Sequence, residues 1–171
     1  MKIVNLHINY PFNKMPLVNI KKASIDDVEE ILQLQKQAYL SEAELYNDYH
    51  IKPLMQTLDD IKQDFLKQIF LKAVIDNKPT IVGSVRAYQQ KDTVFIGRLA
   101  VSPDYQNKGI GAKLMISIEE RFGSAKRFEL FTGHKSIKNI YLYQKLGYRE
   151  FKRIPAHDSI TMIYLEKYNK N

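Results

Sequence analysis

Residues 98–122, RLAVSPDYQNKGIGAKLMISIEERF, change character twice within a short span. The segment opens as the end of a strand, because residues 93–101 are rich in β-branched and aromatic side chains. It turns at Ser102, Pro103 and Asp104, where proline cannot continue a ladder. A polar loop, Tyr105, Gln106, Asn107 and Lys108, follows and leads into two glycines, Gly109 and Gly111. Ile110, Leu114, Ile118 and Phe122 then recur four apart, the spacing of one helical face, and Gly123 stands where a C′ glycine would.

A strand, a glycine loop and a helix in that order can hold a phosphate. The first N–H groups of a helix have no internal partner, and the helix dipole places partial positive charge there. Glycine lacks Cβ, so an anion can approach the backbone, and Gln106 and Lys108 offer further donors. Spacing separates the candidates. The P-loop pattern fails, since Gly111 is followed by Ala112, Lys113 and Leu114 rather than Lys and Ser or Thr. The dinucleotide fingerprint fits Gly109 and Gly111 and has Glu129 as an acidic ribose partner, but its third glycine position holds Leu114. Two glycines that merely open a surface helix remain a plainer alternative.

A third spacing fits better. Gln106-Asn107-Lys108-Gly109-Ile110-Gly111 resembles the Gln/Arg-x-x-Gly-x-Gly/Ala pyrophosphate loop of the GNAT superfamily of acetyl-CoA-dependent N-acetyltransferases. The preceding strand, Arg98-Leu99-Ala100-Val101, and the Val-x-Pro-x-x-Gln run resemble the same family. So does a second segment, Tyr143-Gln144-Lys145-Leu146-Gly147-Tyr148, with its tyrosine four residues before a glycine and an aromatic after it.

The rest of the chain bounds the reading. At 171 residues it is expected to form one domain over residues 17–171. Residues 1–16, with Pro11, Asn13 and Pro16, are expected to be an N-terminal arm, with an edge strand over 2–8, or an artefact of start-site choice at Met15. No apolar run approaches the length of a membrane helix and no h-region is visible at the start, so the cytoplasm is the expected compartment. The absence of cysteine removes disulfides, thiolate metal sites and a covalent cysteine intermediate. His7, His50, His134 and His157 are scattered, so no metal is expected. The net charge of +7 is concentrated late: after residue 123 there are ten Lys or Arg and four Asp or Glu. A basic surface of this kind suits a polyanionic cofactor or nucleic acid, and no nucleic-acid-binding signature accompanies it.

The periodicities place the elements. Residues 17–22 read as a strand, and Ser24 as an N-cap with Asp26 and Asp27 in the first turn. Val28, Ile31, Leu32, Gln35, Ala38 and Tyr39 follow at helical spacing. After Pro53, Thr57 caps a second helix whose face is Leu58, Ile61, Phe65 and Leu66. Strands are expected over 70–75, 80–88, 93–101, 127–132, 148–154 and 160–167. Ser136 is expected to cap a short helix ended by Gly147. This order resembles the GNAT fold, an α+β, three-layer α/β/α architecture. The resemblance implies a mixed, mostly antiparallel sheet in which two central parallel strands splay apart.

It also implies a site. Acetyl-CoA would be the co-substrate, with its pyrophosphate at Gln106, Asn107, Lys108, Gly109, Ile110, Gly111 and Ala112 and its pantetheine arm against the backbone of Leu99, Ala100 and Val101. Where many members carry an Asn seven residues before the tyrosine, this chain has Ser136, and Asn139 lies four before it, so both are candidates for cofactor contact. Tyr143 would be the catalytic residue: a phenol beside the sulfur can donate as a thiolate forms. The Leu99 N–H would polarise the thioester carbonyl, and many members place a Glu on the central strand, where this one has Arg98. Glu42, Glu44 and His134 are candidate bases elsewhere, and none is assigned.

Residues 41–50, SEAELYNDYH, carry three acids and no Lys or Arg. In the resembling fold this segment borders the acceptor. Glu42, Glu44 and Tyr46 are therefore expected to bind a primary amine, a cationic one, on a small molecule or peptide. Neither a membrane nor nucleic acid is an expected partner, and a homodimer is an open alternative. A GNAT-fold protein that binds coenzyme A without turnover is the second reading.

Overall fold

The computed structural model describes residues 17–76, 78–156 and 160–169. The expected N-terminal arm and its strand over 2–8 lie outside them, as do Asn77, His157 and Asp158, which fall between expected strands. The elements run β1 (Val18–Lys22), α1 (Val28–Tyr46), α2 (Lys52–Met55), α3 (Leu58–Lys67), β2 (Ile69–Ile75), β3 (Lys78–Gln90) and β4 (Thr93–Val101). They continue with α4 (Ile110–Arg121), β5 (Arg127–Gly133), α5 (Ile137–Lys145), β6 (Arg149–Pro155) and β7 (Thr161–Tyr168).

Strand β2 shows why the layers form. Phe70 packs with Val28, Ile31 and Leu32 of α1 and Ile61 of α3, whereas Leu71 and Ala73 pack with Leu114, Met115 and Ile118 of α4. A strand buried on both faces must lie inside a sheet covered on both sides. The result is a three-layer α+β architecture around one seven-stranded sheet of order β1-β2-β3-β4-β5-β7-β6. Every pairing is antiparallel except β4 with β5. Among the described residues no helix is long and apolar enough to cross a membrane.

The parallel pair is short. Only Thr93, Val94 and Phe95 face partners, Arg127, Phe128 and Glu129, although β4 runs on to Val101 and β5 to Gly133. The strands splay from Phe95 onward. A bulge contributes to this. The register with β3 steps from Ser84↔Ala100 to Arg86↔Gly97, so β4 uses one residue more than its partner, and Arg98 takes a left-handed φ of 52°. An inserted residue of this kind bends its strand and increases its twist.

Local chemistry sets most boundaries. Thr57 Oγ1 accepts from the Asp60 N–H at 3.1 Å, and an Asp60 carboxylate oxygen accepts from the Thr57 N–H at 2.9 Å, closing a capping box on α3. Residues 41–46 are the last turns of α1, because nothing in SEAELY breaks a helix, and Asn47 ends it at φ 51°. Three expectations change. Pro53 does not simply separate two helices but opens the short α2, where the missing N–H costs nothing. Gly147 at φ 94°, not Gly123, ends a helix in the left-handed region. Leu66 is 73% exposed, leaving Ile61 as the buried centre of α3.

Helix α4 seats against a notch. A Cβ on Gly83 would lie 2.9 Å from Leu114 Cδ1 and 3.3 Å from the Ala100 carbonyl oxygen. Leu114→Ala is expected to lower unfolding free energy by about 2–5 kcal/mol. Gly83→Ala should also destabilise, but less in the Leu114→Ala background, since the cavity accepts the new methyl. Urea unfolding of the two single variants and the double variant measures both effects.

Candidate active site

The loop between β4 and α4 is held open by its own side chains. Gln106 Nε2 donates to the Val101 carbonyl at 3.1 Å, closing the end of β4. Lys108 folds back, its Nζ donating to the Asp104 carbonyl at 2.8 Å and lying 5.0 Å from the centre of the Tyr105 ring. Asn107 and Gly109 take φ of 58° and 77°, so the loop winds tightly into the helix. The first N–H to turn back is that of Lys113, which donates to the Gly109 carbonyl at 3.0 Å, and among the described residues those of residues 107–112 meet no backbone acceptor. This is a row of unspent donors at a helix N-terminus. A Cβ on Gly109 would point into open space, so Gly109 is required by its φ; Gly111 packs 3.4 Å (as a built Cβ) from Leu142, against α5. Ile110 is buried and anchors the turn to the core, and Ala112 follows it on the helix.

The gap between β4 and β5 separates this loop from the sheet's other face, which α1 covers. Along α1, Gln35, Tyr39, Glu42 and Tyr46 share one side by the 3.6-residue period. Glu42 accepts from Ser136 Oγ and from Asn139 Nδ2 (3.2 Å), and Tyr46 Oη accepts from the Lys135 N–H at 2.7 Å. Gly133 leaves the room for this: a Cβ there would lie 2.2 Å from Tyr46 Oη. The C-terminal half of α1 is thus tied across the mouth of the gap to the start of α5. Ser136 occupies the N-cap position of α5 without capping it, because its hydroxyl donates to Glu42. The structure brings together Glu42, Tyr46, Ser136 and Asn139. It leaves Glu44 exposed and about 200° around α1 from Glu42. His134 accepts the Thr161 N–H through Nδ1 at 3.1 Å and lies beside Tyr46.

Tyr143 is 7% exposed and packs edge-on to Tyr148. Burial, and then the neighbouring Tyr39 and Glu42, hold its phenol well above the ordinary tyrosine range. Its hydroxyl has no partner among the described residues, yet it is not sealed from solvent. Tyr143 packs with the α4-side core, and the charges of Tyr39 and Glu42 on α1 reach it. Tyr148 is buried, with its hydroxyl donating to Glu119 Oε1 at 2.8 Å, whereas Tyr141 is exposed.

Three residues here were not singled out for the site from the sequence. Tyr39 lies among Arg98, Glu42 and Arg86; burial, first of all, raises its pKa. Arg86, 6% exposed, pairs with Asp64 at 3.1 Å, donates to Gln56 Oε1 at 3.4 Å and lies over the Phe70 ring. Burial, and then the charge of Arg98, bring its guanidinium down to about 10, with Asp64 and Tyr39 opposing. Arg98 itself was noted only for standing where a carboxylate is usual. The spacing of Tyr39 and Glu42 on α1 was the available signal; the two arginines left none, since β3 register sets their approach.

The acetyltransferase (GNAT) family model matches residues 26–148. A curated relative, UPF0157 protein YqkA of Bacillus subtilis, is 25% identical over 150 residues, 88% of this chain, and the chain spans about 42% of that relative's length. Among solved structures, a GNAT-family acetyltransferase of Staphylococcus aureus superposes with a TM-score of 0.72 at 21% identity, covering 90% of this chain and 100% of that one. The ribosomal-protein-S18-alanine N-acetyltransferase of Escherichia coli gives 0.70 at 16%, covering 91% and 96%. The PaiA N-acetyltransferase of Thermoplasma acidophilum, in complex with coenzyme A, gives 0.64 at 21%, covering 89% and 99%.

Proposed function

This chain belongs to the acetyltransferase (GNAT) family, and we propose that it moves the acetyl group of acetyl-CoA to a primary amine by direct attack, with both substrates bound together. One observation carries the reading: β4 and β5 part after Phe95, and the helix that follows β4 begins with N–H groups that, among the described residues, meet no backbone acceptor. The donor set fits a pyrophosphate, since unspent N–H groups, a helix N-terminus and open space over Gly109 coincide. Acetyl-CoA supplies an activated acetyl thioester.

Residues 107–112 hold the diphosphate through backbone N–H groups. The edge of β4 at Leu99, Ala100 and Val101, which has no partner on β5, pairs with the amide-bearing arm, and the Leu99 N–H polarises the thioester carbonyl. The chain contains no cysteine, so no thiol of its own takes the acetyl group and the amine attacks directly. Because its pKa is raised, the Tyr143 phenol is neutral throughout the working range. A thiol is the stronger acid, at about 8.5 against about 10 for an unperturbed phenol. Tyr143 therefore acts as a hydrogen-bond donor to the sulfur as charge develops, without passing its proton over.

With the diphosphate held at α4, the amine must enter from the α1 face. Glu42 is the carboxylate there; it receives the amine as an ammonium ion, which gives up one proton to become the neutral nucleophile and a second as the amide forms, one of the two ending on the departing thiolate and the other in solvent. Tyr46 and Ser136 fix the loop against which that happens. Coenzyme A binding without turnover is favoured by one feature, the lack of a carboxylate on β4, and would give ligand stabilisation with no acetylated amine.

Coenzyme A is expected to raise the melting temperature. Gly109→Glu and Gly111→Glu should abolish the shift, while Gly109→Asn, uncharged and tolerant of left-handed φ, should retain most of it. Equal shifts in all four proteins would exclude the loop. Tyr143→Phe is expected to keep coenzyme A affinity and lower the maximal acetylation rate about a hundredfold, the cost of losing one hydrogen-bond donor to developing charge. An unchanged single-turnover rate would return Tyr143 to a packing role.

A further inference from the structure

Arg98 is out of balance with its surroundings in three ways. It holds a left-handed φ of 52° without being glycine, a conformation that costs free energy and persists where the surroundings enforce it. Its Nε is buried with no hydrogen-bond partner, the one such side-chain atom found among the described residues. Buried N–H groups are almost always paired, because an unmet one carries its full desolvation penalty. Third, no carboxylate among the described residues forms an ion pair with it.

The neighbours do not relieve this. Arg86, whose charge is felt at the same place, is fully engaged with Asp64, Gln56 and the Phe70 ring. Gln56 is fixed in turn: it accepts from Gln35 Nε2 at 2.9 Å and donates to Asp64 Oδ2 at 2.6 Å. Arg86 cannot turn toward a ligand without breaking that network, and Arg98 can offer its donors without breaking anything. The charges of Arg98 and Glu42 both reach Tyr39, and the two Glu42 oxygens accept from the neutral donors Ser136 and Asn139. Near Tyr39 there are therefore one cation and one anion that, among the described residues, pair with no opposite charge.

We infer that Arg98 is a specificity-determining residue that receives a carboxylate on the acceptor, so that the substrate is a small zwitterion carrying both the reactive amine and a carboxylate. This rests on the acetyl-transfer reading for the identity of the site. A guanidinium presents Nε and a terminal nitrogen as a fork that matches the two oxygens of a carboxylate. Such a contact would satisfy the buried Nε and offset the like charge of Arg86. With the ammonium at Glu42, the two charges of the acceptor meet opposite charges. A peptide amino terminus or a plain polyamine lacks the second charge and leaves Arg98 unmet.

Matched acceptors test this: phenylalanine, phenylalaninamide and phenethylamine; lysine and cadaverine; β-alanine, propylamine and aminoethylphosphonate. Each is measured for binding by thermal shift with saturating coenzyme A, and for acetylation with acetyl-CoA, in wild type, Arg98→Gln, Arg98→Asn and Arg98→Lys. The coenzyme A shift itself reports that each variant is folded. In wild type the carboxylate-bearing member of a set should be preferred about ten- to hundredfold, the size of a charge-assisted contact. Arg98→Gln and Arg98→Asn should erase that preference while leaving the carboxylate-free amine nearly unchanged, and Arg98→Lys should restore part of it. No preference in wild type, no binding by any carboxylate-bearing amine, or an equal loss for all members in Arg98→Gln and Arg98→Asn would overturn the inference. A phosphonate preferred over its carboxylate would overturn the choice of anion. Carboxylate-selective binding that depends on Arg98, with no acetylated product, would uphold this inference and sink the acetyl-transfer reading. Turnover of amines irrespective of carboxylate would do the reverse.

Discussion

Two parallel strands that stop pairing after three residues are the constraint on which the rest depends. Strand backbone without a partner is normally a liability, because its N–H and C=O groups lose water and gain nothing. Here the separation is built in. The bulge at Arg98 bends β4, Gln106 satisfies the Val101 carbonyl where the strand ends, and Leu114 locks α4 against the notch at Gly83. In the proposed reading, a ligand with alternating amide groups would complete the open edge, and the helix N-terminus beside it would take the ligand's negative end.

The other side of the gap is fixed by α1. Its Glu42 and Tyr46 reach Ser136, Asn139 and the Lys135 N–H, which lie at the end of β5 and the start of α5. These contacts tie α1 to the start of α5, the helix that carries Tyr143, so in the proposed reading acceptor and cofactor would share one set of positioning contacts. A network of the buried Gln35, Gln56 and Arg86 with the partly exposed Asp64 holds the same helix to α3 and β3. It orients polar groups that would otherwise be costly to bury.

What was legible in the sequence is what local physics determines. The strand, loop and helix of residues 93–121 follow from period, proline and glycine, and the capping boxes at Ser24 and Thr57 follow from the residue three positions on. The resemblance of residues 106–111 and 143–148 added the topology, including the splayed pair. Features that depend on partners remote in sequence were not legible. The bulge at Arg98 exists only relative to β3, and the approach of Arg86 to Arg98 depends on that register. Ser136 was read as a cap and a cofactor contact because its distance to Glu42, ninety-four residues earlier, is set by the fold. Glu44 was grouped with Glu42 by composition, and the helical period then separated them. The site's acidity was visible as a run of charges, and the cation facing it was not.

Amide hydrogen exchange with and without coenzyme A reads the central element residue by residue. Strong slowing is expected at residues 107–112, whose N–H groups lack backbone acceptors, and at residues 99–101 on the open edge of β4, with little change along β1 and β2. Slowing confined to other elements, with residues 99–101 and 107–112 exchanging as fast as before, would contradict the account.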